Sequence, residues 1–192
     1  MSNKLGHLFV VSGPSGTGKS SILEMFLRQD RQTRFSVSYT TRAKRDHEVD
    51  GRDYHFVDAA TFQAMVGEGE FLEWENVHGY FYGTPRTEVL QPLSEGIDVM
   101  LDIDVKGALT VKEEWPEAVL IFIDTPSPDE LVRRLSARGE KEIERRMQRV
   151  REEVAKKGLF TYVVVNDTLT RAYAEFKSII ADIRRQHGQD NR

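Results

Sequence analysis

No cysteine occurs in the 192 residues, which excludes a disulfide framework, a thiolate metal site and a cysteine nucleophile. The same absence suits a reducing compartment, and the cytoplasm is the expected location. No window approaches the roughly 18 consecutive apolar residues of a membrane span, so a soluble chain with no membrane partner is expected. Positive charge is not in excess either: 27 Lys+Arg against 31 Asp+Glu leave a formal net charge of −4. A nucleic-acid partner normally requires a basic face and a high pI, so none is expected, and any anion site must be local. Proline is scarce, with 6 residues, and no Pro/Gly/Ser-rich linker, internal repeat or low-complexity tract divides the chain. One domain is expected. The opening stretch MSNKLGHLFVVSG runs from a short apolar segment directly into glycine, without a small-residue cleavage site, so no signal peptide is expected. Nothing in the sequence fixes an oligomeric state.

Strands are legible as continuous apolar, β-branched runs: LFVVS (8–12), IDVMLDID (97–104), AVLIFID (118–124) and YVVVND (162–167). Such runs fit strands buried on both faces of a parallel sheet. Helical patterns follow them. In SPDELVRRLSARG (127–139), Ser127 suits the N-cap and Pro128 the first helical position, acids fill the first turn, and Gly139 lies past the end. TRAYAEFKSIIADIRRQ places Tyr173, Phe176, Ile179, Ile180 and Ile183 on one face of a closing amphipathic helix. RRMQRVREEVAKK (145–157) reads as a solvated helical face of mixed charge. Strands alternating with helices predict a three-layer α/β domain. Between about 36 and 90 the rhythm changes to short aromatic pieces, DYHFV, EFLEWENV and GYFYGT, which predict a small, partly antiparallel sheet inserted into the α/β core.

GPSGTGKS at 13–20 fits G-x-x-x-x-G-K-[ST] with Gly13, Gly18, Lys19 and Ser20 in register. Glycines let successive N–H groups curl around phosphate oxygens at the positive end of the following helix. Lys19 can then reach the β- and γ-phosphates, and Ser20 can ligate Mg²⁺. Asp102, ending a buried-strand run, is the acidic candidate for holding that metal through water, with Asp104 two residues on along the same strand face. FSVSYTTRAKR (35–45) packs hydroxyls and cations into one short stretch after the first helix. Arg42 and Arg45 suit a second phosphate, because guanidinium forks match phosphate oxygens. A strand edge protected by charge would read the same way.

With these residues in hand, the chain resembles a known family, guanylate kinase, whose members transfer the γ-phosphate of ATP to GMP. The resemblance runs in order through VVSGPSGTGKSS, FSVSYTTR, EVDGRDYHFV, EFLEWENVHGYFYGT, DVMLDIDVKGA, RRLSARG, ERRM and VVVND. It implies a three-layer P-loop kinase fold, α/β with a mainly parallel sheet. The core would comprise 1–35 and 95–192, a small mixed β-sheet GMP-binding region about 36–94, and a helical lid about 137–157. ATP would lie along Gly13, Pro14, Ser15, Gly16, Thr17, Gly18, Lys19, Ser20 and Ser21, with Mg²⁺ at Ser20 and Asp102. GMP or dGMP would be held by Ser38, Arg42, Arg45, Tyr54, Glu73, Tyr82, Thr84 and Asp104. Lys19, Arg42 and the arginines Arg134, Arg138 and Arg146 would stabilise the transferring phosphoryl group. Two departures stand out. TTRAKRDHE lacks the proline and glycine usual in this loop of the family, and the stretch between ARG and ERRM is short, which blurs Arg145 against Arg146.

Three rival readings share parts of this pattern. Guanylate-kinase-like scaffold modules bind phosphorylated peptides and typically lack the phosphate loop that is intact here. Relatives that phosphorylate a ribose phosphate have no need of Glu73 or Ser38 as base readers. Regulatory nucleotide binding without turnover would keep the same residues.

Overall fold

A computed structural model describes residues 5–77, 79–137 and 143–189. The five-stranded sheet contains β1 (Leu8–Ser12), β2 (Thr33–Phe35), β7 (Asp98–Asp102), β8 (Val119–Asp124) and β9 (Tyr162–Val165), in the order β2-β7-β1-β8-β9. Its pairings β2 with β7 and β8 with β9 are parallel. The bonds Val99 N–H to His7 O and Ile103 N–H to Val11 O advance together along both chains, which is the parallel pattern again. The second sheet holds β3 (Tyr39–Thr40), β4 (His55–Phe56), β5 (Phe71–Val77) and β6 (Tyr80–Pro85), in the order β4-β3-β6-β5. It is mixed: β3 pairs parallel with β4 and antiparallel with β6, and β5 pairs antiparallel with β6.

Helices α1 (Lys19–Gln29), α2 (Ala59–Gly67), α3 (Arg86–Ser94), α4 (Val105–Glu114), α5 (Pro128–Ala137), α6 (Ile143–Ala155) and α7 (Leu169–Gln189) complete the described elements. No helix among the described residues is long and apolar enough to cross a membrane. The α5 start follows its sequence: Pro128 opens the helix and the Ser127 hydroxyl accepts from the Glu130 N–H at 3.2 Å.

Two compact units are distinguished. One comprises Met1–Phe9, Gln32–Leu101 and Lys106–Ala118, and the other Val10–Arg31, Asp102–Val105 and Val119–Arg192. In the first, the fully buried Phe62 of α2 stacks on Phe71 and Phe81, with centroids at 4.6 and 5.5 Å, and so anchors the helix to the antiparallel pair. Burying a phenylalanine contributes about 1.5–3 kcal/mol. In the second, Phe26 of α1 meets Phe176 of α7 edge to face at 5.4 Å, and Leu131, Leu135 and Val150 join α5 to α6.

Two sequence expectations change. The expected run of buried strands fails at β9, where Val163 and Val165 are 37% and 42% exposed. β9 is the last strand of its sheet, so its run has a neighbour on one side only. The aromatic middle also carries α2 and α3, which its short strand-like pieces did not announce.

Candidate active site

In the second unit, the chain leaves β1 and turns through 13–18 into α1. Gly13 sits at φ +135°, where a Cβ would meet the Ile123 carbonyl oxygen at 2.2 Å. Gly18 caps α1 at φ +94°, where a Cβ would fall 2.3 Å from Asn166 Nδ2. Left-handed backbone and lack of room both require glycine at these corners. The Thr17 hydroxyl donates to the Pro14 carbonyl at 2.9 Å and closes the loop on itself. The Lys19 ammonium donates to the carbonyls of Gly13 and Pro14, which holds the cation against the loop. Ser15, Ser20 and Ser21 are exposed, whereas Pro14 and Thr17 are buried.

Asp102 ends β7 half-buried, and burial pushes its carboxyl above the usual range while the Lys19 ammonium opposes the shift. Glu153 of α6 is raised by burial in the same way, with Lys19 opposing and Asp104 reinforcing. No group of three or more His, Cys, Asp or Glu that could hold a metal occurs among the described residues. Ser20, exposed in the first turn of α1, and Asp102, at the end of β7, offer oxygen donors of the kind Mg²⁺ takes, and such an ion completes its shell with substrate phosphates and water. Ser20 and Asp102 are the residues that would hold it.

Arg134 of α5 donates to Glu130 Oε1 at 2.7 Å, to the Asn166 carbonyl at 2.9 Å and to the Thr17 carbonyl at 3.5 Å. Arg133 and then Arg134 pull the Glu130 carboxyl down to about 2. Arg138 and the side chain of Arg146 lie outside the described residues. Asn166, which the sequence reading did not single out, is only 5% exposed and donates from Nδ2 to Thr17 O at 2.7 Å.

The first unit gathers a second set of groups on its mixed sheet. Arg42 is gripped by Glu48, with Nη1 to Oε2 at 3.0 Å and Nη2 to Oε1 at 2.7 Å. Its guanidinium carbon lies 5.5 Å from the Tyr54 ring centroid and 5.7 Å from that of Phe56. Glu48 and a hydrogen bond with Tyr82 hold Arg42 more firmly protonated than a free guanidinium, against the opposing effect of burial. Tyr54 and Tyr82 meet edge to face at 5.8 Å. Glu73 is 6% exposed and accepts from the Thr84 hydroxyl at 2.5 Å across the β5–β6 ladder, where the two residues are register partners.

Arg45 contributes its backbone N–H to Glu48 at 2.8 Å, and its side chain is exposed. Ser38 is half-buried and its carbonyl accepts from the His55 N–H. Arg42, Tyr54, Glu73, Tyr82 and Thr84 thus share one sheet or its bordering loop. Asp104 lies in the other unit, half-buried just before Val105 of α4; β7 ends at Asp102, so Asp104 is not on the strand face where the sequence places it. Glu48 escaped the sequence reading because a glutamate in a charged loop looks like solvated surface. Its signal was its place three residues after Arg45 and six after Arg42 in AKRDHE.

A glycine-cornered loop between the first strand of a mainly parallel sheet and its helix, with lysine and serine opening that helix, defines a phosphate-loop nucleotide-binding α/β protein. The comparisons narrow the class. The family model described as guanylate kinase matches residues 6–183. A guanylate kinase of Thermus thermophilus is 47% identical over 192 residues, covering 98% of this chain and 86% of that protein. One of Dechloromonas aromatica is 43% identical over 178 residues, covering 91% and 88% respectively. The crystal structure of guanylate kinase from Anaplasma phagocytophilum superimposes with a TM-score of 0.78 at 32% identity, covering 93% of this chain and 86% of that one. The chain belongs to the guanylate kinase family.

Proposed function

We propose that this chain is an ATP:GMP phosphotransferase, converting ATP and GMP (or dGMP) to ADP and GDP in purine nucleotide metabolism. The observation that carries the reading is Glu73: a buried carboxylate fixed by Thr84, on the small sheet whose bordering loop carries Arg42. Guanine presents N1–H and a 2-amino group side by side, and one carboxylate accepts from both. Adenine would turn an unprotonated N1 toward the same oxygens. A buried polar group left unpaired costs about 1–3 kcal/mol, and sites built on such bonds reject analogues by roughly 10⁴. Ser38 serves the guanine O6 side, Asp104 completes the GMP contacts, and Arg42, Arg45, Tyr54 and Tyr82 hold the acceptor phosphate.

Phosphoryl transfer demands in-line placement and positive charge rather than covalent help. Residues 13–21 bind the phosphate chain of ATP, and Lys19 leaves its loop carbonyls to meet the β- and γ-oxygens. Lys19, Arg42, Arg134, Arg138 and Arg146 neutralise charge on the transferring group. Mg²⁺, when bound beside Ser20 and Asp102, supplies further charge neutralisation at the phosphate oxygens. The organisation that fits this role is one kinase domain, with core 1–35 and 95–192, an acceptor region about 36–94 and a lid about 137–157. A reducing, cytoplasmic setting suits a chain without cysteine.

A coupled assay with Mg²⁺-ATP and a panel of monophosphates tests the reading. Turnover is expected with GMP, weaker turnover with dGMP, and little with AMP, CMP or UMP. Equal rates across the panel would sink the guanine-reading role of Glu73, and no GDP at all would sink the enzyme reading.

A further inference from the structure

We propose that Asn166 is a positioning residue of the phosphate loop, pinning the Thr17 carbonyl so that the Gly18 N–H is presented to the phosphate chain of the nucleotide. The inference rests on the reading of 13–21 as the ATP site. A peptide unit is planar and, in this chain, trans throughout, so a carbonyl and the N–H of the next residue point to opposite sides. Whatever fixes the Thr17 oxygen therefore fixes the direction of the Gly18 N–H.

Two donors converge on that oxygen: Asn166 Nδ2 at 2.7 Å and Arg134 Nη1 at 3.5 Å. Each donor is itself held. The Asn166 N–H donates to the Asp124 carbonyl at 2.9 Å, and the Asn166 carbonyl accepts from Arg134 Nη2 at 2.9 Å. Arg134 is aimed by Glu130 Oε1 at 2.7 Å. Arg134, Thr17 and Asn166 thus form a closed ring of hydrogen bonds, and its members Thr17 and Asn166 are 0% and 5% exposed.

The ring also acts electronically. A carbonyl that accepts from a guanidinium and an amide polarises its own peptide, which makes the Gly18 N–H a stronger donor to an anion. The amide of Asn166 rests directly on Gly18, where a Cβ would come within 2.3 Å of Nδ2. A residue at 166 must therefore supply a donor of this length: leucine fills the space without one, and aspartate would set oxygen against oxygen. The contact joins residues 149 apart in sequence and ties the segment after β9 to the loop.

The test uses the full chain and four probes: ATP, ADP, inorganic triphosphate and GMP. In Asn166→Leu, the affinities for ATP and for inorganic triphosphate should both fall about tenfold, the worth of one net hydrogen bond. KM for GMP should stay within twofold. Adding ADP should move the Gly18 amide proton downfield in the parent protein and by less in the variant. Loss of ATP affinity with triphosphate affinity intact would show that Asn166 acts on the base and would overturn the proposal. Parallel loss of GMP affinity would reduce it to general stability and overturn it as well. Should Asn166→Leu fail to fold, Asn166→Ser, too short to reach Thr17, reads the same quantities. The parent protein supplies a further check: slow exchange of the Asn166 side-chain amide, with and without ADP, is expected, and free exchange overturns the strut. A parent that binds neither ATP nor triphosphate would refute the nucleotide reading itself, and the strut with it.

Discussion

Arg42 and Glu48 are joined by two parallel hydrogen bonds, 2.7 and 3.0 Å long, across six residues of a single loop. Glu48 is 7% exposed and also accepts from the Arg45 N–H, while Lys44 donates to its carbonyl. A charged side chain so deeply set usually has a partner that needs it. Here the partner is a guanidinium placed 5.5 Å from the Tyr54 ring centroid, and Glu48 sets its direction.

Glu48→Gln should therefore raise KM for GMP about tenfold and leave KM for ATP unchanged, because the amide keeps the shape but weakens a charge-assisted fork. Steady-state kinetics with each substrate varied in turn measure the split. A parallel rise in both constants would mean that Glu48 serves general stability alone.

The same pair predicts acid sensitivity. Arg42 lowers the Glu48 carboxyl from about 4.5 to about 2, against the opposing effect of burial. A carboxylate whose folded pKa is depressed contributes stability above its unfolded pKa, and that contribution is lost as pH falls through the folded value. The parent should lose stability from this source between about pH 4.5 and 2. Urea melts of parent and Glu48→Gln should differ at pH 7 and converge near pH 2.

Glu73→Gln replaces an acceptor-only carboxylate by an amide that presents one acceptor and one donor. Guanine preference over adenine should fall by at least tenfold, with ATP affinity unchanged. Thr84→Ala should raise KM for GMP about fivefold through loss of one hydrogen bond of about 1 kcal/mol. The monophosphate panel, run on both variants, reads both effects, and unchanged discrimination in Glu73→Gln would place the base elsewhere.

Local features were legible in the sequence and distant pairings were not. β1, the glycine loop and α1 followed from adjacent residues, and α5 announced itself through Ser127 and Pro128, because backbone conformation and capping are decided within a few positions. The Glu73–Thr84 pair needed the β5–β6 register, which β-hairpin pairing fixes only in space. Asn166 needed a contact across 149 residues. Helix α2 was hidden because its turns sit between short strands and its sequence AATFQAMVG has little polar-apolar contrast. It is held by one aromatic, Phe62, against Phe71 and Phe81. β9 read as interior because a run of valines does not say which strand comes last in the sheet.

Asp102→Asn should preserve the fold and metal-free ATP affinity while lowering kcat in Mg²⁺ by about a hundredfold. Burial already disfavours the Asp102 charge, and Lys19 is the cation that opposes this, so a neutral amide suits the site without metal. Titration of activity against Mg²⁺ should show a right shift in the variant. An unshifted curve would remove Asp102 from the metal site.

Gly13→Ala and Gly67→Ala should move stability in opposite directions although the chemical change is the same. At Gly13 the backbone is at φ +135° and the new Cβ would meet Ile123 O at 2.2 Å, a contact with main chain that no side-chain rotation relieves. Strain of this kind costs about 1–3 kcal/mol, and a shifted loop would misdirect the N–H donors of 13–18, so ATP affinity should fall at least a hundredfold. At Gly67, within α2, nothing lies within 4 Å of an added Cβ. Alanine there should stabilise the helix by about 0.5–1 kcal/mol and leave both substrates' constants unchanged. Thermal melts and ATP titrations on the two variants separate a glycine required by its neighbours from one that is merely present. Wild-type ATP affinity in Gly13→Ala would show that the loop tolerates a different path into α1.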